Sequence, residues 1–398
     1  MVHSIAAVTG QTILARYHVH PERGFLPERD PLARLPKTFA AWEELVKQLP
    51  SLLAAGRVRQ AINQLPLLDA TRLASDDQHE RAMLLLSYLG HAYVFGAVPL
   101  SDRLPAQVAV PWHYVATQVQ RPPVLTYASH ILYNWQRFAT TEPITLENLA
   151  RLEHFAGGMD EDWFGMIHIA IEAKAGPGLH ALVLAQDAVQ ADDADQVTSQ
   201  LVEVLRAIAD IMTVLPRIGE KCEPQIYFDR VRTFLSGWQD NPALPNGLIY
   251  EGVEAYHDQP QFFRGGSGAQ SAIIPALDNG LGLAFDDNPF GHYMRSLRDY
   301  MPPPHHAFVD AMATRPAIRL FVQDHATHRP LVAAYNDCIV SMAQFRHDHL
   351  RYAGAYIHAP SQRTGGHAAE VGTGGTPYMG YLKQHVNEVK EHLIEVKG

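Results

Sequence analysis

Apolar side chains recur at steps of three and four along most of this chain, and no stretch of its first half alternates convincingly with a period of two. The spacing predicts helices over residues 39–49, 60–65 and 75–94. Pro21, Pro27, Pro31 and Pro36 oppose continuous helix, so the chain is expected to begin with an extended arm over residues 1–36. Residues 98–112 read as a proline-punctuated connection. Pro122 and Pro123 precede a predicted helix over 124–138, and Thr145 is placed to cap another that starts at Leu146 with Glu147 in its first turn.

Further along, residues 162–190 are apolar nearly all round in their first half, as expected of a helix buried inside a large helical domain, and residues 193–215 form an amphipathic helix. Pro224 opens the next segment. The glycine-rich stretch 263–282 passes from loop into helix, its glycines permitting close backbone approach to something flat or bulky. The longest stripe runs over 331–357, where Tyr335, Cys338, Met342, Phe345, His349, Ala353 and Tyr356 share one face. His349 therefore sits where a core side chain is expected. His347, rotated from it by roughly 200° at about 100° per residue, falls on the polar face near Asp348. A Gly/Ser/Thr-rich loop then ends at Thr376, a predicted N-cap with Pro377 behind it, and a closing helix runs to about residue 396. The expectation is an all-α protein of two helical domains, a smaller one over 1–142 and a larger one over 143–398.

Composition narrows the range of function. A formal net charge of −10 without any Lys/Arg run argues against nucleic acid or an anionic membrane surface as the main partner, so a small molecule is expected. Cys222 and Cys338 stand far apart with no CxxC or CxxCH pattern, which leaves a disulfide framework, a zinc finger and covalent c-type haem unsupported. No basic region precedes an apolar core at the N-terminus and no run reaches about 18 apolar residues, so a cytoplasmic protein is expected.

Several residues could carry chemistry. His349 read alone is either a core histidine satisfied by a neighbour, which periodicity favours, or a haem ligand. A b-type haem also needs a second group to orient the imidazole, cations for its propionates and an apolar pocket opposite. Arg346, three residues before His349, is either a propionate partner or a solvated surface residue. His168 is either a distal-pocket group or a hydrogen-bond partner of Glu172, four residues on, which is the blander reading. Phe228 and Arg232 would share a helix face, and Arg232 suits a bidentate carboxylate. Arg230 competes for that role. The GGSG and GTGGT runs match neither a P-loop nor a dinucleotide fingerprint.

The segments RPPVLTYASHILYNW, LSGWQDNPALPNGLIYEGV, GGSGAQS, RSLRDYMPPPHHAF, AYNDCIVSMAQFRHDHL and GTGGTPYMGYLK occur in an order that resembles the indoleamine 2,3-dioxygenase family over most of the chain. The resemblance implies an all-helical, two-domain protein with haem b that inserts both atoms of O2 across the indole C2–C3 bond of L-tryptophan, giving N-formylkynurenine. It also implies roles for individual residues. His349 becomes the proximal ligand of the haem iron, supported by Asp278 and by Arg346 at a propionate. Tyr127, His130 and Phe164 would line the indole pocket, Tyr227 and Phe228 would flank the substrate, and Arg232 would bind its carboxylate. Ser267 falls in the matching glycine loop and Thr373 in the loop that closes over the amino acid. The chain departs from the animal members of the family, whose distal serine is replaced by His168, a histidine being what the related tryptophan 2,3-dioxygenases use. We expect His168 to bond the indole N–H or bound O2, with an imidazole able to act as a base near neutral pH. His130 makes the pocket more polar, so a substituted tryptophan or another indole is an alternative substrate. A mono-oxygenase or rearrangement enzyme of secondary metabolism and a non-catalytic haem or O2 sensor are the other readings.

Overall fold

The computed structural model describes residues 10–285, 289–363 and 388–397. Thr373, Thr376, Pro377 and most of the expected closing helix lie outside them. Apart from two ladders of two residues each, Arg103–Leu104 parallel to Ile249–Tyr250 and Gln136–Arg137 antiparallel to Leu149–Ala150, the described elements are helical. The protein is all-α, as the periodicity predicts.

The arm is not wholly extended: Gly10–Arg16 forms helix α1, ahead of the first proline, with Leu14 buried. Helices α2 (Ala40–Lys47), α3 (Leu49–Ala54) and α4 (Val58–Asn63) follow, then α5 (Asp76–Phe95). Ser75 caps α5 by accepting the Gln78 N–H, and Asp76 and Asp77 face the positive end of its dipole.

Three sequence expectations need correction here. Residues 106–112 of the expected connection instead belong to helix α6 (Ala106–Gln118), with Pro111 inside it. An internal proline costs a helix ~3 kcal/mol. Burial of Val108, Trp112 and Val115 on one face, at about 1.5–3 kcal/mol for a side chain of Val size, offsets that cost. The predicted helix over 124–138 shrinks to a five-residue π-helical turn, Ala128–Leu132. Distant side chains hold its start in place of a local cap: His91 Nε2 takes the Leu125 N–H and Gln270 Oε1 takes the Tyr127 N–H, each at 2.8 Å. Thr145 makes no side-chain cap. Only a 3-10 turn, Leu146–Asn148, follows it, and the long helix α7 (Met159–Gln190) starts later, with Asp160, Glu161 and Asp162 in its first turn.

Helix α8 (Ala194–Val214) is capped by Asp193, which accepts the Gln196 N–H at 2.9 Å, and it buries Val197, Leu201, Val204, Ile208 and Ile211 at helical spacing. Short helices α9 (Pro224–Ile226) and α10 (Arg232–Leu235) flank a π-helical turn, Tyr227–Val231. Then come α11 (Ile273–Leu281), α12 (Pro289–Ser296), α13 (Pro303–Thr314), α14 (Ile318–Asp324), α15 (Arg329–Ala353) and α16 (Ala359–Arg363). A third π-helical turn, Gly354–His358, ends α15. Helices α7 and α15 both pack on α8, and α11 packs on α7 and α13. The buried apolar side chains join in one core from Leu14 to Ile394. Among the described residues no helix is long and apolar enough to cross a membrane.

Candidate active site

His349 lies on the last turns of α15. Its side chain has a large accessible surface, yet the protein crowds it enough for desolvation to lead the lowering of its pKa, with the nearby Arg346 charge second. The imidazole is thus accessible while the protein around it still desolvates it. The low pKa leaves a neutral imidazole, the form that binds a metal. The ring of Phe345 lies parallel to it, with centroids 6.3 Å apart.

Arg346, one residue behind Phe345, is buried and not a surface arginine. Its Nη2 donates to both carboxylate oxygens of Asp278 on α11 at 2.6 Å, and its guanidinium lies 5.4 Å from the Phe285 ring centroid. Its Nη1 is buried without a hydrogen-bond partner. Asp278 thus holds a cation with a donor to spare. Among the described residues no three His, Cys, Asp or Glu side chains converge to hold a bare ion. A metal here would have to bring most of its own ligands, as a porphyrin does. One accessible neutral imidazole and one buried arginine with an unspent N–H fit a haem and its propionate.

The His349 charge is felt at His168, so this part of α7 lies near the end of α15. Phe164 and His168 are both partly accessible on α7, their rings 4.4 Å apart, and Phe164 stacks on Tyr227 at 4.3 Å. His168 also meets the edge of Tyr127 at 6.3 Å, and Tyr227 meets Tyr356 at 6.1 Å. Burial pushes the His168 pKa down to about 4, and the His349 and Arg151 charges push the same way, against the bond to the Phe164 carbonyl, which raises it. The two histidines therefore lie within electrostatic reach of each other. The Phe164 carbonyl can only accept, so His168 Nδ1 donates to it at 2.8 Å and Nε2 is left as a bare lone pair. At this pKa His168 is a weak base near neutrality, contrary to the sequence expectation, and its chemistry is that of a hydrogen-bond acceptor.

The blander sequence reading of His168, a bond to Glu172, is not what forms. Glu172 Oε1 instead accepts the Tyr127 hydroxyl at 2.9 Å and the Ser271 hydroxyl at 2.7 Å, and burial raises its pKa to about 7. Between the competing arginines burial decides: Arg230 is exposed, whereas Arg232 is buried, with its guanidinium 5.3 Å from the Phe228 centroid and its charge felt by Tyr227.

Three π-helical turns carry His130, Tyr227 with Phe228, and Tyr356, whose rings meet those of α7 or one another. Such widened turns often occur at functional sites. His130 is buried, with its ring 6.4 Å from Phe164 and bonds to Tyr88 and Arg151.

Ser267 caps the turn Gly268–Gln270 by accepting the Ala269 N–H, and Gln270 ties that loop to Tyr127. The S-x-x-Q spacing is a capping-box signature that could have marked Gln270 in the sequence. Nothing of that kind marked Tyr88 or Arg151. Gly265 of this loop packs on backbone: a Cβ there would strike the Leu235 carbonyl and the Gly237 nitrogen, whereas a Cβ on Gly268 would meet open space. Of the site residues expected from sequence, ring contacts, hydrogen bonds and electrostatic reach connect Tyr127, His130, Phe164, His168, Tyr227, Phe228, Arg232 and Ser267 on one side and Asp278, Arg346 and His349 on the other. Thr373 lies outside the described residues.

Comparison with known proteins agrees with this architecture. A family model described as indoleamine 2,3-dioxygenase matches residues 13–392. Indoleamine 2,3-dioxygenase 1 of Rattus norvegicus is 33% identical over 96% of both chains. Indoleamine 2,3-dioxygenase 2 of Homo sapiens is 32% identical over 97% of this chain and 96% of its own. A 6-hydroxytryptophan 2,3-dioxygenase of Fusarium equiseti is 32% identical over 96% of this chain and 98% of its own. With a family match over nearly the whole chain and relatives of that identity, the chain belongs to the indoleamine 2,3-dioxygenase family, a family of oxidoreductases.

Proposed function

We propose that this protein, loaded with haem b, opens the indole ring of L-tryptophan or a related indole between C2 and C3 with O2, giving N-formylkynurenine. The observation that carries the reading is His349, an accessible neutral imidazole, with His168 within electrostatic reach of it and Arg346 backed by Asp278. When bound, the haem would supply the activation of O2. His349 would hold its iron, and Arg346 Nη1 would take a propionate.

The chain's own contribution is positioning. Arg232 clamps the substrate carboxylate, helped by its buried setting next to Phe228. Phe164 and Tyr227 give the indole an aromatic wall. His168 Nε2 accepts the indole N–H and so fixes which edge of the ring faces the iron. Glu172 holds Tyr127 and Ser271, and Gln270 holds the Tyr127 backbone, so the pocket wall and the Ser267 loop keep one arrangement.

The test is the absorption spectrum of the purified protein with and without L-tryptophan under O2. A haem Soret band, its shift on adding tryptophan and consumption of the amino acid are expected. Loss of the band in His349→Ala is expected too. A normal haem spectrum from that variant, or a wild-type spectrum indifferent to tryptophan with no consumption, contradicts the proposal.

A further inference from the structure

The polar cluster beside Phe164 holds more donors than acceptors, and its protons can be assigned in turn. Asn134 Oδ1 accepts the backbone N–H of Leu152 at 3.2 Å and of Glu153 at 2.8 Å, so its amide nitrogen faces Tyr88 and donates to the phenol oxygen at 2.8 Å. Arg151 Nη2 donates to the same oxygen at 2.6 Å. With both lone pairs taken, the Tyr88 proton goes to His130 Nδ1, 3.0 Å away, which also receives Arg151 Nη2 at 3.2 Å. Nδ1 is thus the acceptor. Burial, followed by the Arg151 charge, keeps the ring neutral, so the ring proton sits on Nε2.

That proton has no acceptor. The polar atom within reach of Nε2 is Arg151 Nη1 at 3.5 Å, itself a donor, and Arg151 Nε is buried with no partner. Among the described residues Arg151 makes no ion pair. Glu153 is spent on Arg81, and Glu161 on the backbone N–H groups of Phe155, Ala156 and Gly157. The cation is also fitted against the pocket helix: a Cβ on Gly165, next to Phe164, would collide with Nη1. Native structures rarely leave two buried donors and a buried charge unanswered.

We infer that His130 Nε2 and Arg151 Nη1 form a specificity subsite for an oxygen substituent on the benzene ring of the indole, making ring-hydroxylated tryptophan the preferred substrate. The inference rests on the indole-dioxygenase reading above. The location supports it. With the carboxylate on Arg232 and the indole N–H on His168, the benzene ring is the part of the substrate left to meet Phe164, and the His130 ring lies 6.4 Å from Phe164. Two N–H groups 3.5 Å apart can share one oxygen, and the guanidinium charge favours a phenolic one. An unsubstituted ring would leave both donors unpaired, which is how a polar subsite rejects the analogue lacking the hydroxyl.

The test titrates the haem-loaded protein calorimetrically with L-tryptophan and with each of its ring-hydroxylated isomers, and measures kcat/KM for the same set. At least one isomer should exceed tryptophan by about tenfold or more in both. His130→Leu should collapse that ratio, and His130→Gln, which keeps an N–H donor, should restore part of it. If His130→Leu does not fold, the wild-type titration decides alone. Wild-type protein that consumes tryptophan and prefers no isomer overturns the inference but not the dioxygenase reading. Tight binding of an isomer without consumption of any indole upholds the subsite and overturns that reading. A preference that survives in both His130→Leu and Arg151→Met also overturns the inference.

Discussion

At His168 the outcome turns on which ring nitrogen is bare. The Phe164 carbonyl fixes the proton on Nδ1 and burial lowers the pKa to about 4, so Nε2 is left able to accept a hydrogen bond at physiological pH, the role proposed for it toward the indole N–H. Removing it in His168→Ala should lower kcat/KM for tryptophan roughly tenfold, the worth of one net hydrogen bond. Unchanged kcat and KM in that variant contradict the role. Arg232→Leu should cost more, roughly ten- to a hundredfold and mainly in KM, because a charge-assisted bond is lost. Arg230→Leu, on the exposed face, should leave both parameters within about twofold of wild type. Equal effects of the two substitutions contradict the assignment. Periodicity alone could not choose between these arginines, since they differ by only two residues on a turn that proves to be π-helical. It did set His349 apart from His347 by face, but within α15 the stripe is buried only as far as Met342, and His349 itself is accessible.

Elements were legible where local pattern and tertiary packing agree. Helices α8 and α15 follow the stripes seen in the sequence, and Asp193 caps the first of them as its residue type suggests. Elements were misread where distant groups decide. The amides of Leu125 and Tyr127 are claimed by His91 and Gln270, from other parts of the chain, and no local signal could reveal that. Helix α6 survives Pro111 because its buried face outweighs the lost bond. The pairing of α11 with α15 likewise rests on long-range contacts, Asp278 with Arg346 and the Tyr335 hydroxyl donating to the Leu281 carbonyl at 3.1 Å. Asp278→Asn should weaken haem retention, since a buried guanidinium would lose its counter-charge. The ratio of Soret to protein absorbance after gel filtration measures this, and a wild-type ratio contradicts the supporting role.

The whole molecule buries several neutral imidazoles, and this sets its response to acid. Burial lowers the pKa of His91 and His305 to about 3 and that of His168 to about 4, while Glu172 is raised to about 7. Below about pH 6.5 the unfolded chain binds protons at the three imidazoles that the folded protein refuses, so stability falls as pH drops towards 4. Glu172 acts in the opposite sense between about pH 7 and 4.5, since its proton is held in the folded state and released on unfolding, and Glu80 and Glu153 are raised by burial too. These carboxyls are outnumbered by the imidazoles held down, His130 and His349 among them. The urea midpoint should therefore decrease from pH 7 to pH 5, and a midpoint that rises contradicts the assignment of those groups. The all-α class was readable from composition and periodicity. The pocket was not, because its walls come from α7, α15 and three widened turns far apart in sequence. The central claim, that these walls hold a haem for ring-opening dioxygenation, is tested most directly by the mass of the product formed from an indole substrate under isotopically labelled O2. Two labelled oxygen atoms in a ring-opened formyl product are predicted. A single labelled atom in an intact ring system would contradict the account and assign the protein to mono-oxygenation.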